Sequence, residues 1–222
     1  MPLSEYFVTG SVTPIGLDML LEGGWRHFGE YFFRYDNQES DGKNLHIVPL
    51  RINLERFKQS ESQRRLIRKN KDLSVKVGPT FVDKEIRELF EKHRVRFKEN
   101  VPDSLTDFLS FQPDSVPVEN KTVVVFDQGR LIAASFLDIG NWSTSSIYGI
   151  FEPDFASRGL GIYTMLMEIQ YSLKTGKKFY YPGYAHLESS YYDYKKQFFG
   201  LERYDWETQH WIPAERFFTG SI

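Results

Sequence analysis

One stretch of this chain constrains its fold more than any other. Residues 121–127 are β-branched and apolar, and an Asp127-Gln128-Gly129 turn follows. Residues 131–139 then read as a hairpin partner and 145–151 as a third strand. Next come Arg158-Gly159-Leu160-Gly161 and a helical stretch over 162–174, with Met165, Leu166, Ile169 and Leu173 on one face. Gly176 closes that helix, and residues 178–183 form a fourth strand. A hairpin, a third strand, a glycine step, one amphipathic helix and a return strand describe an α/β (α+β) sheet with a helix laid on it.

The N-terminal half is less regular. Thr13-Pro14 predicts an N-cap with proline at the first helical position, opening a short helix that Gly23-Gly24 ends. Residues 25–35 are aromatic-rich and read as a hairpin around Gly29, residues 36–44 as a polar turn, and 46–53 as a strand. Ser60-x-x-Gln63 is a capping box, which predicts a helix over 61–70. Thr80-x-x-Asp83 predicts the cap of another, whose apolar stripe is Ile86, Leu89, Phe90, His93 and Phe97. His93 on such a stripe is expected to be structural. Residues 112–120 carry two prolines and read as a linker, and 191–199 as a helix before two short strands. The expected division is an N-terminal α+β portion, 1–115, and a C-terminal catalytic domain, 116–222.

Composition removes whole classes of function. The chain has no cysteine, which excludes disulfides and thiolate metal sites, and its five histidines are scattered. No metal and no cofactor are expected. No apolar run approaches the ~18 residues of a membrane helix, and the first residues lack the pattern of a secretory signal. A soluble, cytoplasmic protein is the expectation. Net charge is −2 over 222 residues, but it is unevenly spread. Residues 51–71 hold eight Lys/Arg against two Glu, a basic stretch of the kind that attracts phosphate backbones.

The strand–strand–strand–Gly-x-Gly–helix–strand order resembles the centre of GNAT-type acyltransferases. That resemblance implies a V-shaped cleft between two spread strands, where an amine meets an acyl group. It also implies an anion site at Arg158, Gly159, Leu160 and Gly161, where helix N-terminal N–H groups are free. The residue three before the first glycine is Ala156, where coenzyme A-dependent relatives have Gln or Arg.

Longer segments are similar to the arginyl- and leucyl-tRNA–protein transferases of the N-degron pathway. They are residues 20–36, the basic run 49–70 with Ser60, Ser62, Gln63, Arg64 and Arg65, and the core 145–184 with Leu160, Gly161, Tyr163, Tyr180, Gly183 and Tyr184. Tyr194-Lys195 stands where that family has a Tyr-Lys pair. The family's N-terminal cysteines are missing from residues 36–44, so any metal or haem chemistry tied to them does not transfer.

The resemblance implies aminoacyl-tRNA as donor and a protein or peptide N-terminus, of acidic preference in some relatives, as acceptor. Glu152, just after the third strand, is the expected carboxylate for the ammonium or its proton, and Tyr148, Tyr180 and Tyr184 the expected cleft hydroxyls. Arg51, Arg64, Arg65, Arg68, Lys69 and Lys195 are the expected tRNA contacts, neutralising phosphates without reading sequence; Arg51 or Arg64 gripping an acidic acceptor side chain is an open alternative. Two other functions also stand open: an acetyl-CoA-dependent N-acetyltransferase, and a non-catalytic module that binds tRNA or N-degrons.

Overall fold

The structure, a computed structural model, describes residues 2–40, 42–97 and 101–214. In chain order the elements are β1 (Ser4–Val8), α1 (Pro14–Glu22), β2 (Arg26–Phe28), β3 (Tyr31–Tyr35), β4 (Asn37–Ser40) and β5 (Lys43–Asn53). Then follow α2 (Glu61–Lys69), β6 (Ser74–Pro79), α3 (Lys84–Arg94), β7 (Asn120–Asp127), β8 (Arg130–Ile139) and β9 (Ser143–Phe151). The chain continues with α4 (Leu160–Lys174), β10 (Phe179–His186), β11 (Leu201–Asp205) and β12 (His210–Pro213). Short 3-10 turns occupy Leu105–Asp107, Pro153–Arg158 and Tyr191–Lys196.

The large sheet runs β12-β11-β5-β10-β9-β8-β7-β6, with β4 hairpinned onto β5, and a small separate sheet runs β1-β3-β2. Only β9 and β10 pair in parallel within the large sheet. A parallel pair needs a long crossover, and α4 supplies it. The expected boundary at 115/116 does not separate two folding units. Strands β5 and β6 come from the N-terminal portion and sit in the same sheet as β7 to β12. The expected linker is packed rather than free: Val118 is buried with Leu17, Phe32 and Tyr181, and the Pro117 carbonyl accepts from the Val12 N–H at 2.7 Å.

Both faces of the sheet are covered. Phe136 and Leu137 are adjacent in β8 and point to opposite sides, as strand alternation demands. Leu137 lies in the cluster of α4 (Met165, Leu166, Ile169) with Leu50, Ile52 and Tyr180. Phe136 lies in that of α3 (Ile86, Leu89, Phe90) with Ala134, Ile147 and Ile150. Burying each such side chain contributes about 1.5–3 kcal/mol, so each helix is fastened mainly by its apolar stripe.

The caps follow the sequence closely. Thr13 caps α1, and Ser60 with Gln63 closes the capping box of α2. For α3 the cap is Asp83, which accepts from the Ile86 N–H, while Thr80 instead bonds Asn120 at the start of β7. Residues 37–40 pair with 43–46 as the β4–β5 hairpin rather than lying in an open turn, and the expected helix over 191–199 is a six-residue 3-10 helix, Tyr191–Lys196.

Candidate active site

Strands β9 and β10 stay paired for three residues only, Phe179 with Ser143, Tyr180 with Thr144 and Tyr181 with Ser145. Beyond that, β10 follows β5 (Gly183 opposite Leu50) while β9 follows β8 as far as Phe151. A wedge opens between them, and the β9 carbonyls along it have lost their ladder partners. Arg26, carried by β2, fills the root of the wedge. Its Nη2 donates to the carbonyls of Ser146 and Ile147, both at 3.0 Å. Its guanidinium lies so close to Gly183 that a Cβ there would stand 1.6 Å from Nη1. Gly183 also has φ +93°, open to glycine at little cost. Arg26 is 8% exposed, and its Nη1 has no hydrogen-bond partner among the described residues.

The groups around Arg26 carry unusual protonation. Glu168, wholly buried on α4, accepts from the Tyr180 hydroxyl at 2.5 Å, and burial raises its carboxyl to about 7 against the pull of that hydroxyl. Lys195 donates to the Tyr184 carbonyl at 3.0 Å, and burial, aided by Arg26, lowers its amine to about 7. The Tyr148 hydroxyl is buried without a partner, its ring stacked on Phe108 at 3.9 Å, and burial pushes it up to about 12. Tyr184 points the other way and donates to the Gly24 carbonyl at 2.6 Å, which fastens the small sheet to β10. Burial raises this hydroxyl well above its ordinary range.

Several expected site residues lie outside the wedge. Glu152 does follow β9, but its carboxylate is 4% exposed and clamped by Lys92 at 2.8 Å and Arg130 at 2.6 Å. Burial alone would raise its pKa, yet those two cations hold it below the usual carboxylate range. In this geometry Glu152 ties α3 to β8 and is not presented to an incoming amine. Arg51 is buried too: its Nε donates to Glu202 at 2.7 Å and its guanidinium is sandwiched over Phe179 and Trp211. That placement removes it from both the phosphate-binding and the acceptor-gripping expectations. Lys195 is half-buried, with its amine drawn inward to the Tyr184 carbonyl. His93 is structural as expected, with its Nδ1 accepting from the Phe151 N–H at 3.0 Å and burial lowering its pKa to about 4.

The glycine step is not an open anion cradle. Gly159 caps α4 with φ +64°, Leu160 is 1% exposed in the core, and Gly161 is already helical. Helix α2 lies over the step: Leu66 Cδ1 is 3.0 Å from where a Cβ of Gly159 would stand, and Asn70 Nδ2 donates to the Arg158 carbonyl at 2.9 Å. Arg158 itself is held in a two-bond fork by Asp72. The surface that a pyrophosphate would need is occupied by α2.

The outer face of α2 is basic, as its sequence predicts. Arg64, Arg65, Arg68 and Lys69 are all exposed. Arg64 donates to the Gln59 carbonyl and Lys69 to the Ser157 carbonyl. Arg65 and Arg68 have no partner among the described residues. A separate cavity of about 600 Å³ lies between α3 and residues 104–114, lined by Phe81, Phe90, Leu105, Leu109 and Phe111 and by none of the expected site residues. Among the described residues there is no cluster of ligands fit to hold a metal, and no helix is long and apolar enough to cross a membrane.

Sequence reasoning missed Arg26. The available signal was an arginine inside the aromatic hairpin, between Trp25 and the His27-Phe28 pair, where charge is out of place.

The chain is 26% identical over 206 residues to the aspartate/glutamate leucyltransferase of Helicobacter hepaticus, covering 89% of this chain and 83% of that protein. It is 28% identical over 186 residues to the aspartate/glutamate leucyltransferase of Pseudomonas fluorescens, covering 82% and 77%. The crystal structure of FemX matches with a TM-score of 0.49 at 10% identity, over 86% of this chain and 65% of that one. A family model described as arginine-tRNA-protein transferase, C terminus, matches residues 85–205, more than half of the chain, and the chain belongs to that family.

Proposed function

We propose that this protein transfers an aminoacyl group from a charged tRNA to the α-amine of a protein whose first residue is acidic. The observation that carries this reading is the β9–β10 wedge, an acyl-transfer cleft whose adjoining glycine step is covered by a basic helix. Coverage by Leu66 and Asn70 disfavours a pyrophosphate-bearing donor such as acetyl-CoA. The exposed cations of α2 favour a polyanionic one. The names of the relatives supply the acidic acceptor and the choice of leucine as first donor to test.

The chemistry asks little beyond placement. The neutral α-amine attacks the ester carbonyl, a C–N bond forms, the C–O bond to the tRNA ribose breaks, and the amine's proton ends on the ribose oxygen. Ester to amide is downhill, so the reading needs no cofactor, metal or covalent enzyme intermediate. An α-amine titrates near ~7.7–8.0, so a usable neutral fraction exists at pH 7. Alignment of amine and carbonyl supplies about 7–11 kcal/mol. Tyr148, with a buried and unpartnered hydroxyl, is the neutral donor this reading assigns to the carbonyl oxygen. A charged-tRNA donor also points to a cytoplasmic site of action.

The test uses Leu-tRNA or Arg-tRNA carrying labelled amino acid, with a peptide beginning in Asp. Label should enter the peptide. An Arg65→Ala, Arg68→Ala double variant should keep the fold and raise the KM for charged tRNA. It should also flatten the dependence of log affinity on log salt by about 2. Absence of transfer from any charged tRNA overturns the reading, and an unchanged salt slope removes α2 from the tRNA surface.

A further inference from the structure

We propose that Arg26 is the specificity-determining residue of the wedge, receiving the side-chain carboxylate of the acceptor's first residue. This rests on the proposed transferase reading and goes beyond it by assigning the recognition to a group that no sequence motif had marked.

Arg26 is buried with no carboxylate hydrogen-bonded to it among the described residues. A guanidinium stays ionised in a protein, and burial of one without an anion costs several kcal/mol. The two bonds of Nη2 to backbone carbonyls satisfy one end of the fork only. The nearby carboxyls, Asp138 and Glu168, act on it through space and hydrogen-bond elsewhere. Asp138 spends one oxygen on His27 and the other on Asn120. Glu168 faces the Tyr180 hydroxyl, and its buried carboxyl holds its proton up to near-neutral pH. Lys195 adds a second nitrogen, with its amine turned to Tyr184. The wedge root thus buries a guanidinium that no carboxylate among the described residues touches directly, with Nη1 unpartnered.

Shape agrees with charge. With Nη2 filled by the two carbonyls, the unpartnered Nη1 is the donor left to give a carboxylate a charge-assisted bond. In an N-terminal aspartate or glutamate the carboxylate and the α-amine lie only a few bonds apart. A carboxylate seated at Arg26 therefore leaves the amine a few bonds further out, where β9 and β10 diverge. An asparagine or glutamine of the same shape brings a neutral amide, and the buried cation stays uncompensated.

Arg26 also holds β9 and β10 apart, so loss of activity in a variant proves nothing about recognition. The decisive readout is discrimination. With the unaltered protein and a charged tRNA, kcat/KM for a peptide beginning in Asp should exceed that for its Asn twin by about 100-fold or more. In Arg26→Gln that ratio should fall below about 3-fold, whatever its overall rate. Should Arg26→Gln fail to fold, the same question is put to the unaltered protein by NMR of 15N-labelled arginine side chains. The Asp peptide should shift the Arg26 resonances, and the Asn peptide should leave them in place. Equal use of Asp and Asn peptides by the unaltered protein overturns the assignment while leaving the transferase reading intact. So does retained discrimination in Arg26→Gln, or an Arg26 signal blind to the Asp peptide. Failure of transfer to every peptide would instead count against the transferase reading.

Discussion

Gly183→Ala is expected to destabilise the protein by about 4 kcal/mol or more, the largest effect of any single methyl group in the wedge. The added Cβ would stand 1.6 Å from Arg26 Nη1 and 2.5 Å from its Cζ, distances no side-chain contact tolerates. Either Arg26 withdraws, or β10 moves off β5. Withdrawal strands the Ser146 and Ile147 carbonyls, each of which accepts from a charged donor in a bond worth about 1.5–3 kcal/mol. The φ of +93° at Gly183 adds strain of about 1–3 kcal/mol for any residue with a Cβ. Against a total stability of about 5–15 kcal/mol, that loss leaves little folded protein. Gly149→Ala is the control. It lies across the wedge on β9, and its nearest neighbour to a new Cβ is the Ser135 Cβ at an ordinary 3.8 Å. Urea unfolding should show Gly149→Ala within about 1 kcal/mol of the parent. Equal stability of the two variants would mean that Arg26 is not wedged against β10.

Glu168→Gln should stabilise the protein at alkaline pH and change little in acid. The sign follows from the raised pKa. Unfolded, this carboxyl titrates near 4.5; folded, near 7. Below 4.5 both states hold the proton and the group is neutral to stability. Between about 4.5 and 7 the unfolded chain gives up the proton more readily, so stability falls as pH rises, and above 7 the full loss has been reached. A shift of this size corresponds to about 3 kcal/mol. Glutamine cannot ionise, and its amide oxygen still accepts from the Tyr180 hydroxyl. Melting curves at pH 5 and pH 8.5 should therefore nearly coincide with the parent at the first and exceed it clearly at the second. A variant less stable than the parent at both values would show that Glu168 is buried as an anion, with Arg26 as its counter-ion. That outcome would also remove the unbalanced charge on which the role of Arg26 rests.

How much of this was legible in the sequence depended on whether local signals had local causes. Helix α2 was read correctly because Ser60 and Gln63 cap each other across a single turn, and α4 because its apolar stripe is regular. The cap of α3 was displaced from Thr80 to Asp83 because a distant partner, Asn120, holds the threonine. Strands β1 and β6 gave no clear pattern: both are mostly exposed, so neither carries an alternating apolar face. The family assignment was readable from motif order. The site was not, because charge in a sequence reads as surface. Arg51 and Lys195 counted there as phosphate contacts, and the fold buries one against Glu202 and turns the other to Tyr184. Glu152 stood at the right place along its strand, and Lys92 and Arg130, from elements remote in sequence, took its charge. The basic face of α2 survived the fold because nothing packs on it.

The identity of the donor separates an aminoacyl-tRNA-dependent transferase from an acetyltransferase. A peptide beginning in Asp, offered Leu-tRNA and acetyl-CoA together with this protein, should gain the mass of one leucine residue at its N-terminus. The gain should vanish when the tRNA is uncharged. A peptide that instead gains an acetyl group would contradict the account, because a pyrophosphate-bearing donor would then have to reach the glycine step that Leu66 and Asn70 cover.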